Sequence, residues 1–330
     1  MRDVATRRAG TLVRCYGLGD GDTTTRGEAT ELDRTTHRRR RRSRTVLAVV
    51  TAAALGAAGC DAVGGESGPG AKEGGPSPRP TPVWDTSPSS VAAVGDSITT
   101  GFDACTVLAD CPEVSWATGS SDKVDSLAVR LLGKAGAAER SWNHAVTGAR
   151  MADLPGQMAR AVRRAPQLVA VMAGANDACR DTASAMTPVA DFRADFQEAM
   201  NTLREALPRT QVYVASVPNL KRLWSQGRTN ALGKQIWKLG ICPSMLGDAD
   251  ALDAAATQRR ETVHKRVEDY NKVLEEVCAA DRRCRYDGGA VHAYRFGTEQ
   301  LSRWDWFHPS VDGQARLAEI AYRTVTAKRP

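Results

Sequence analysis

Three short, uninterrupted apolar runs constrain this chain more than any other feature: residues 90–94 (SVAAV), 167–173 (QLVAVMA) and 211–217 (QVYVASV). A half-exposed strand alternates apolar and polar residues, whereas a continuous run suits a strand covered on both faces of a parallel sheet. The segments between them carry helical periodicity. Residues 191–207 place Phe192, Phe196, Met200, Leu203 and Leu207 on one helical face, with Asp191 as the expected N-cap. Residues 123–132 offer Val124, Leu127, Leu131 and Leu132, and residues 251–280 read as one long, highly charged helix. A last helix is expected after Ser310, carrying Leu317, Ile320 and Val325. Strands alternating with helices predict one α/β domain over residues 90–330, with a parallel sheet covered on both faces. Sites in such sheets lie beyond the carboxyl ends of the strands.

The segment before residue 90 reads differently. Residues 38–42 and Arg44 form a basic block, followed by the apolar stretch 45–59 and then Cys60. That order predicts a secretory signal peptide, with residues 1–59 as an N-terminal extension plus signal. Residues 1–33 fit no part of a signal, as a start assigned too far upstream would produce. The string Ala57-Ala58-Gly59-Cys60 resembles a bacterial lipobox, which implies lipidation at Cys60 and an exported protein, extracellular or anchored to the outer face of the cell membrane. Residues 61–90 hold 6 Gly, 6 Pro and 5 Ser, too little apolar surface to fold, so 60–89 reads as a disordered tether.

Charge follows the same division. Of the formal net charge of +7, residues 1–59 hold +6, with 12 Lys/Arg against 6 Asp/Glu. The remaining body is nearly neutral, which excludes a basic domain that tracks nucleic acid. No apolar run reaches the ~18 residues of a membrane-spanning helix, so membrane contact is expected only through the anchor.

Chemistry-bearing residues collect at the expected strand ends. The first strand runs into Gly95-Asp96-Ser97, the second into Gly174-Ala175-Asn176-Asp177, and Asp305-Trp306-Phe307-His308-Pro309-Ser310 stands before the last helix. Between them lies Asn143-His144-Ala145-Val146-Thr147-Gly148. A serine nucleophile needs a base, the base needs an orienting carboxylate, and the developing oxyanion needs donors. Ser97, His308, Asp305, Gly148 and Asn176 supply all of these from one side of the sheet. Pro309 disfavours helical geometry at His308 and keeps it in the loop.

These blocks, in this order and at these spacings, resemble the SGNH hydrolases, the GDSL lipase/esterase superfamily. The strings Ser115-Trp116, 143–149 and 176–179 further resemble its secreted actinobacterial lipase and phospholipase-B-like branches. The resemblance implies a three-layer α/β/α, flavodoxin-like fold with a central parallel sheet. It implies Ser97 as nucleophile, His308 as base and Asp305 as the carboxylate that orients it. The Ser97 N–H, the Gly148 N–H and the Asn176 amide would form the oxyanion hole. The activity implied is carboxylic ester hydrolysis on lipid, short-chain or acetylated glycan esters, by a monomer without cofactor. Carbohydrate O-acetylesterase, acyltransferase and inactive binding protein are the alternatives. His144, His264, His292 and Asp177 read as structural.

Six cysteines remain in the body, which in an exported protein allows 15 disulfide pairings. The six-residue spacings favour Cys105–Cys111 and Cys278–Cys284, because short loops close cheaply, and leave Cys179 for Cys242. No His/Cys/Asp set has metal-ligand spacing, so no metal is expected. The stretch 220–246, with Leu223, Trp224, Ile236, Trp237 and Leu239, is expected either to line an acyl pocket or to pack as a flap.

Overall fold

The structure, a computed structural model, describes residues 84–328. The basic block, the apolar segment, Cys60 and the tether up to residue 83 lie outside the described residues. The end of the expected tether is not free: the Trp84 indole N–H donates to the Val325 carbonyl at 2.8 Å. The Asp85 N–H donates to Gln211 Oε1 at 2.6 Å, and Gln211 Nε2 returns to the Asp85 carbonyl at 2.8 Å. The Pro/Ser-rich composition around Trp84 masks the one side chain there large enough to repay docking.

Five strands form one parallel sheet: β1 (Val91–Gly95), β2 (Ser141–Asn143), β3 (Leu168–Met172), β4 (Gln211–Val214) and β5 (Cys284–Tyr286), in the order β2-β1-β3-β4-β5. Every residue of β1, β3 and β4 is buried, which is why their sequences are continuous apolar runs. The edge strands β2 and β5 have three residues each and no such run. In β5 the buried residue is Arg285, whose guanidinium donates to the carbonyls of Thr324, Val325 and Ala327. Those carbonyls belong to the last helical turn and its end, where a cation is favoured.

Eleven helices are described: α1 (Ser97–Thr100), α2 (Leu127–Arg140), α3 (Leu154–Val162), α4 (Ala175–Ala178), α5 (Val189–Ala206), α6 (Leu220–Gly227), α7 (Ala231–Trp237), α8 (Pro243–Leu246), α9 (Ala254–Ala279), α10 (Ala290–Ala293) and α11 (Val311–Thr326). The start of α5 corrects the expected cap. Pro188 precedes the first helical residue, so Asp191 lies inside the first turn. Similarly α2 starts only after Ser126, whose Oγ accepts from the Val129 N–H, and Val124 is buried in the turn before it. Ser310 caps α11 as expected, accepting from the Gly313 N–H at 3.2 Å. No described helix is long and apolar enough to cross a membrane.

Helix α5 packs between α3 and α9, and α11 packs on α2. The chain steps from β1 outward to β2 and then back across β1 to β3. With right-handed crossovers, that reversal puts α2 on one face and α3, α5 and α9 on the other. The result is the three-layer α/β/α arrangement with flavodoxin-like strand order. Its topological switch point lies between the carboxyl ends of β1 and β3, the place where such sheets build sites.

Candidate active site

The turn after β1 is held from three sides. Gly95 has φ 151°, and a Cβ there would stand 2.1 Å from the Met172 carbonyl of β3, so no other residue fits. The Gln157 amide of α3 brackets Gly95, accepting its N–H at 2.7 Å and donating to its carbonyl at 2.9 Å. Asp96 then caps α1, its Oδ1 accepting from the Ile98 N–H at 3.0 Å, which makes Ser97 the first helical residue. Ser115 Oγ and Asn143 Nδ2 both donate to the Thr99 carbonyl, at 2.7 and 2.9 Å, while Gln314 of α11 donates to the Ile98 carbonyl at 2.9 Å.

Ser97 Oγ stands 2.9 Å from His308 Nε2. The opposite ring nitrogen, Nδ1, donates to Asp305 Oδ2. That bond fixes the tautomer in which Nε2 carries a lone pair toward the serine. Asp305 is fully buried, and its Oδ1 accepts the N–H groups of Phe307 at 2.9 Å and His308 at 3.0 Å. The turn 305–308 therefore folds around its own carboxylate. Burial would raise the Asp305 carboxyl, but the His308 charge, its hydrogen bond and the two N–H donors hold it below the usual range. Burial would likewise lower His308, but the Asp305 charge and hydrogen bond, together with the charges of Asp103 and Asp96, outweigh it and raise the imidazole above 6.5.

Two further buried carboxyls surround this pair. Burial pushes Asp96 up to about 7. Asp103, just after α1, is pushed up to about 6, by burial first and then by the charge of Asp305. One potential donor atom from each of Asp103, Asp305 and His308 lies within 4.8 Å of the others.

The expected oxyanion donors converge on the same turn. Gly148 has φ 83°, open space where a Cβ would stand, and no described acceptor for its N–H. As the first residue of α1, Ser97 likewise keeps its N–H out of the helical ladder. Asn176, in α4 at the end of β3, donates one amide hydrogen to the Ala149 carbonyl at 3.0 Å, which locks it to the Gly148 loop and leaves a second hydrogen on Nδ2. Thr100 and Thr147 both donate to Asp110 Oδ1, which ties that loop back to α1.

A cavity of about 190 Å³ opens onto these atoms, lined by Ser97, Gly148, Asn176, His308 and the apolar Ile98, Leu220, Leu223, Ile241 and Phe307. The Cys179–Cys242 bridge forms part of its wall. The other described disulfides are Cys105–Cys111 and Cys278–Cys284, so all three follow the spacing-based pairing. The stretch 220–246 divides. Leu223 lines the cavity, whereas the two tryptophans do not. Trp224 donates to the Ala249 carbonyl beneath the Arg260 guanidinium, and Trp237 donates to the Asp305 carbonyl.

The histidines read as structural stay away from Ser97. His264 and His292 stack on each other at 5.8 Å, and His144 is held below 6.5 by burial and by the charges of Arg160, Arg164 and Arg163. Asp177 accepts from the Met151 N–H at 2.9 Å and braces the turn after Gly148. Sequence reasoning missed Gln157, Gln314 and Asp103. Two of these are lone glutamines on amphipathic helices, and no local pattern distinguishes them from surface residues.

A sequence model of the family described as GDSL-like lipase/acylhydrolase matches residues 91–321. No curated protein matches the chain. Among solved structures, a chain of Parabacteroides merdae ATCC 43184 described as a GDSL-like lipase aligns at 17% identity and TM-score 0.45, over 75% of this chain and 100% of that one. An extracellular lipase of Streptomyces rimosus aligns at 18% and TM-score 0.39, over 72% and 100%. A family two carbohydrate esterase of Clostridium thermocellum aligns at 13% and TM-score 0.40, over 71% and 62%.

Proposed function

The chain belongs to the GDSL-like lipase/acylhydrolase family, and from that premise we propose that it is an exported serine ester hydrolase working through an acyl-enzyme on Ser97. One observation carries the reading: Ser97 Oγ lies 2.9 Å from the free nitrogen of an imidazole whose other nitrogen is held by a buried carboxylate. In the reaction, His308 takes the serine proton as Oγ attacks the ester carbonyl. Asp305 stabilises the imidazolium that forms without taking its proton. The Ser97 N–H, the Gly148 N–H and the Asn176 amide receive the negative charge that develops on the carbonyl oxygen. His308 then protonates the leaving alcohol, and water activated by the same ring releases the acid.

The cavity supports a short acyl group. Its volume of about 190 Å³ is that of roughly six waters at about 30 Å³ each, enough for a few carbons. The three disulfides support export, since such bonds form and persist in oxidising compartments. Anchoring through Cys60 and a monomeric state belong to the same proposal.

Fluorophosphonate labelling with mapping of the adduct tests the nucleophile, and modification of Ser97 alone is expected. A panel of p-nitrophenyl esters from two to sixteen carbons, with phospholipid and acetylated xylan beside it, tests the substrate. Turnover should fall beyond short acyl chains. Equal rates at sixteen carbons would refute the short pocket, and an unlabelled Ser97 would refute the hydrolase.

A further inference from the structure

Asp103 has no role in the triad, yet it is fully buried and a carboxyl oxygen of it lies within 4.8 Å of Asp305 and His308. The residue adopts φ 57° just after α1, two positions before the loop that Cys105–Cys111 closes. Its Oδ1 accepts the Leu108 N–H, while its Oδ2 is buried with no hydrogen-bond partner among the described residues. Ser302 joins this segment to the triad loop, donating from Oγ to the Asp103 carbonyl at 2.6 Å and from its N–H to the His308 carbonyl at 2.7 Å. The charged groups that face Asp103 are Asp305 and His308.

A buried, ionised carboxylate oxygen without a donor is costly, and two adjacent buried carboxylates do not both ionise readily. A proton on Asp103 removes both difficulties, because its O–H then points at an acceptor that already bears the charge. We propose that Asp103 is a positioning residue: its carboxyl is protonated and donates from Oδ2 to Asp305, so that the pair carries one negative charge behind His308. The shared proton holds Asp305 in the plane of the His308 ring. The Cys105–Cys111 loop thereby acts on the base without touching substrate. This inference rests on the triad reading above.

The test compares Asp103→Ala and Asp103→Asn with Ser97→Ala in the full chain, using a short p-nitrophenyl ester, circular dichroism and the pH dependence of kcat/KM. Asp103→Ala should lower kcat by roughly 10–100-fold, the scale of a misplaced catalytic group, with KM little changed. Asp103→Asn, whose neutral amide also donates, should restore kcat to within about threefold of wild type and keep the acid-side midpoint. A wild-type kcat in Asp103→Ala, with Ser97→Ala inactive, overturns the positioning role alone. A midpoint lowered by about one unit in Asp103→Asn overturns the shared proton, because it would mean that a second anion had been raising His308. If Asp103→Ala does not fold, the Asn variant decides. Full activity in Ser97→Ala overturns the triad reading and this inference with it.

Discussion

Trp237 donates its indole N–H to the backbone carbonyl of Asp305 at 2.6 Å. The 220–246 stretch thus reaches the 305–308 turn. Asp305 is consequently held at both ends, its carboxylate by its own turn and His308, its carbonyl by a side chain about seventy residues earlier. The contact turns an apparent pocket-lining tryptophan into a brace.

Trp237→Phe keeps most of the ring but leaves that carbonyl unpaired in a buried setting, which costs about 1–3 kcal/mol. A lower midpoint in urea and a reduced kcat with KM unchanged are expected. A variant as stable and active as wild type would show that the indole N–H contributes nothing to the loop.

Ser97→Ala and His308→Ala should each abolish ester hydrolysis with the fold retained, and Asp305→Asn should damage activity somewhat less, because the carboxylate holds and stabilises the imidazole without reacting. Steady-state rates beside circular dichroism separate chemistry from unfolding. Unimpaired turnover in Asp305→Asn would shift the orienting role to another acid.

Activity should fall as pH drops through the titration of His308, since the protonated ring cannot accept the serine proton. Burial lowers its pKa, but the charge and hydrogen bond of Asp305 with the charges of Asp103 and Asp96 raise it on balance, so the acid-side midpoint of kcat/KM is expected above 6.5. A midpoint well below 6.5 would contradict the close His308–Asp305 pairing.

Asn176→Ala should lower kcat by roughly 10²–10³, the usual cost of one oxyanion donor. Gly148→Ala adds no clash, because the space around that position is open, but it strains a backbone at φ 83°, by about 1–2 kcal/mol. Its expected signature is a lower kcat as the N–H swings away. Effects confined to KM in both variants would place these groups in substrate binding.

Reduction of Cys179–Cys242, whose partners lie 63 positions apart, removes a constraint worth about 4 kcal/mol on the chain-entropy model. The bridge joins the residue after α4, which carries Asn176, to the cavity wall. Activity should therefore fall at reductant concentrations that leave the circular dichroism spectrum intact. Loss of both signals together would mean that the bridge holds the whole domain rather than the site.

The sequence alone determined the α/β class, the central strands and the positions of Ser97, His308, Asp305, Gly148 and Asn176. These are local matters: a strand buried on both faces must be apolar throughout, and each strand-end turn needs its own small and polar residues in a row. The edge strands were not legible, because three half-buried residues leave no periodicity, and the Arg285 of β5 is satisfied only by carbonyls of α11, about forty residues later. Trp84 was hidden for the same reason, its partner being Val325. Tertiary structure alone decided that Gln157 brackets Gly95, that Trp237 braces Asp305, and that the carboxyl of Asp103 lies near the Asp305–His308 pair. Each of those contacts joins residues far apart in the chain, and the energy that selects the partner resides in burial and hydrogen-bond satisfaction, which no short stretch of sequence records.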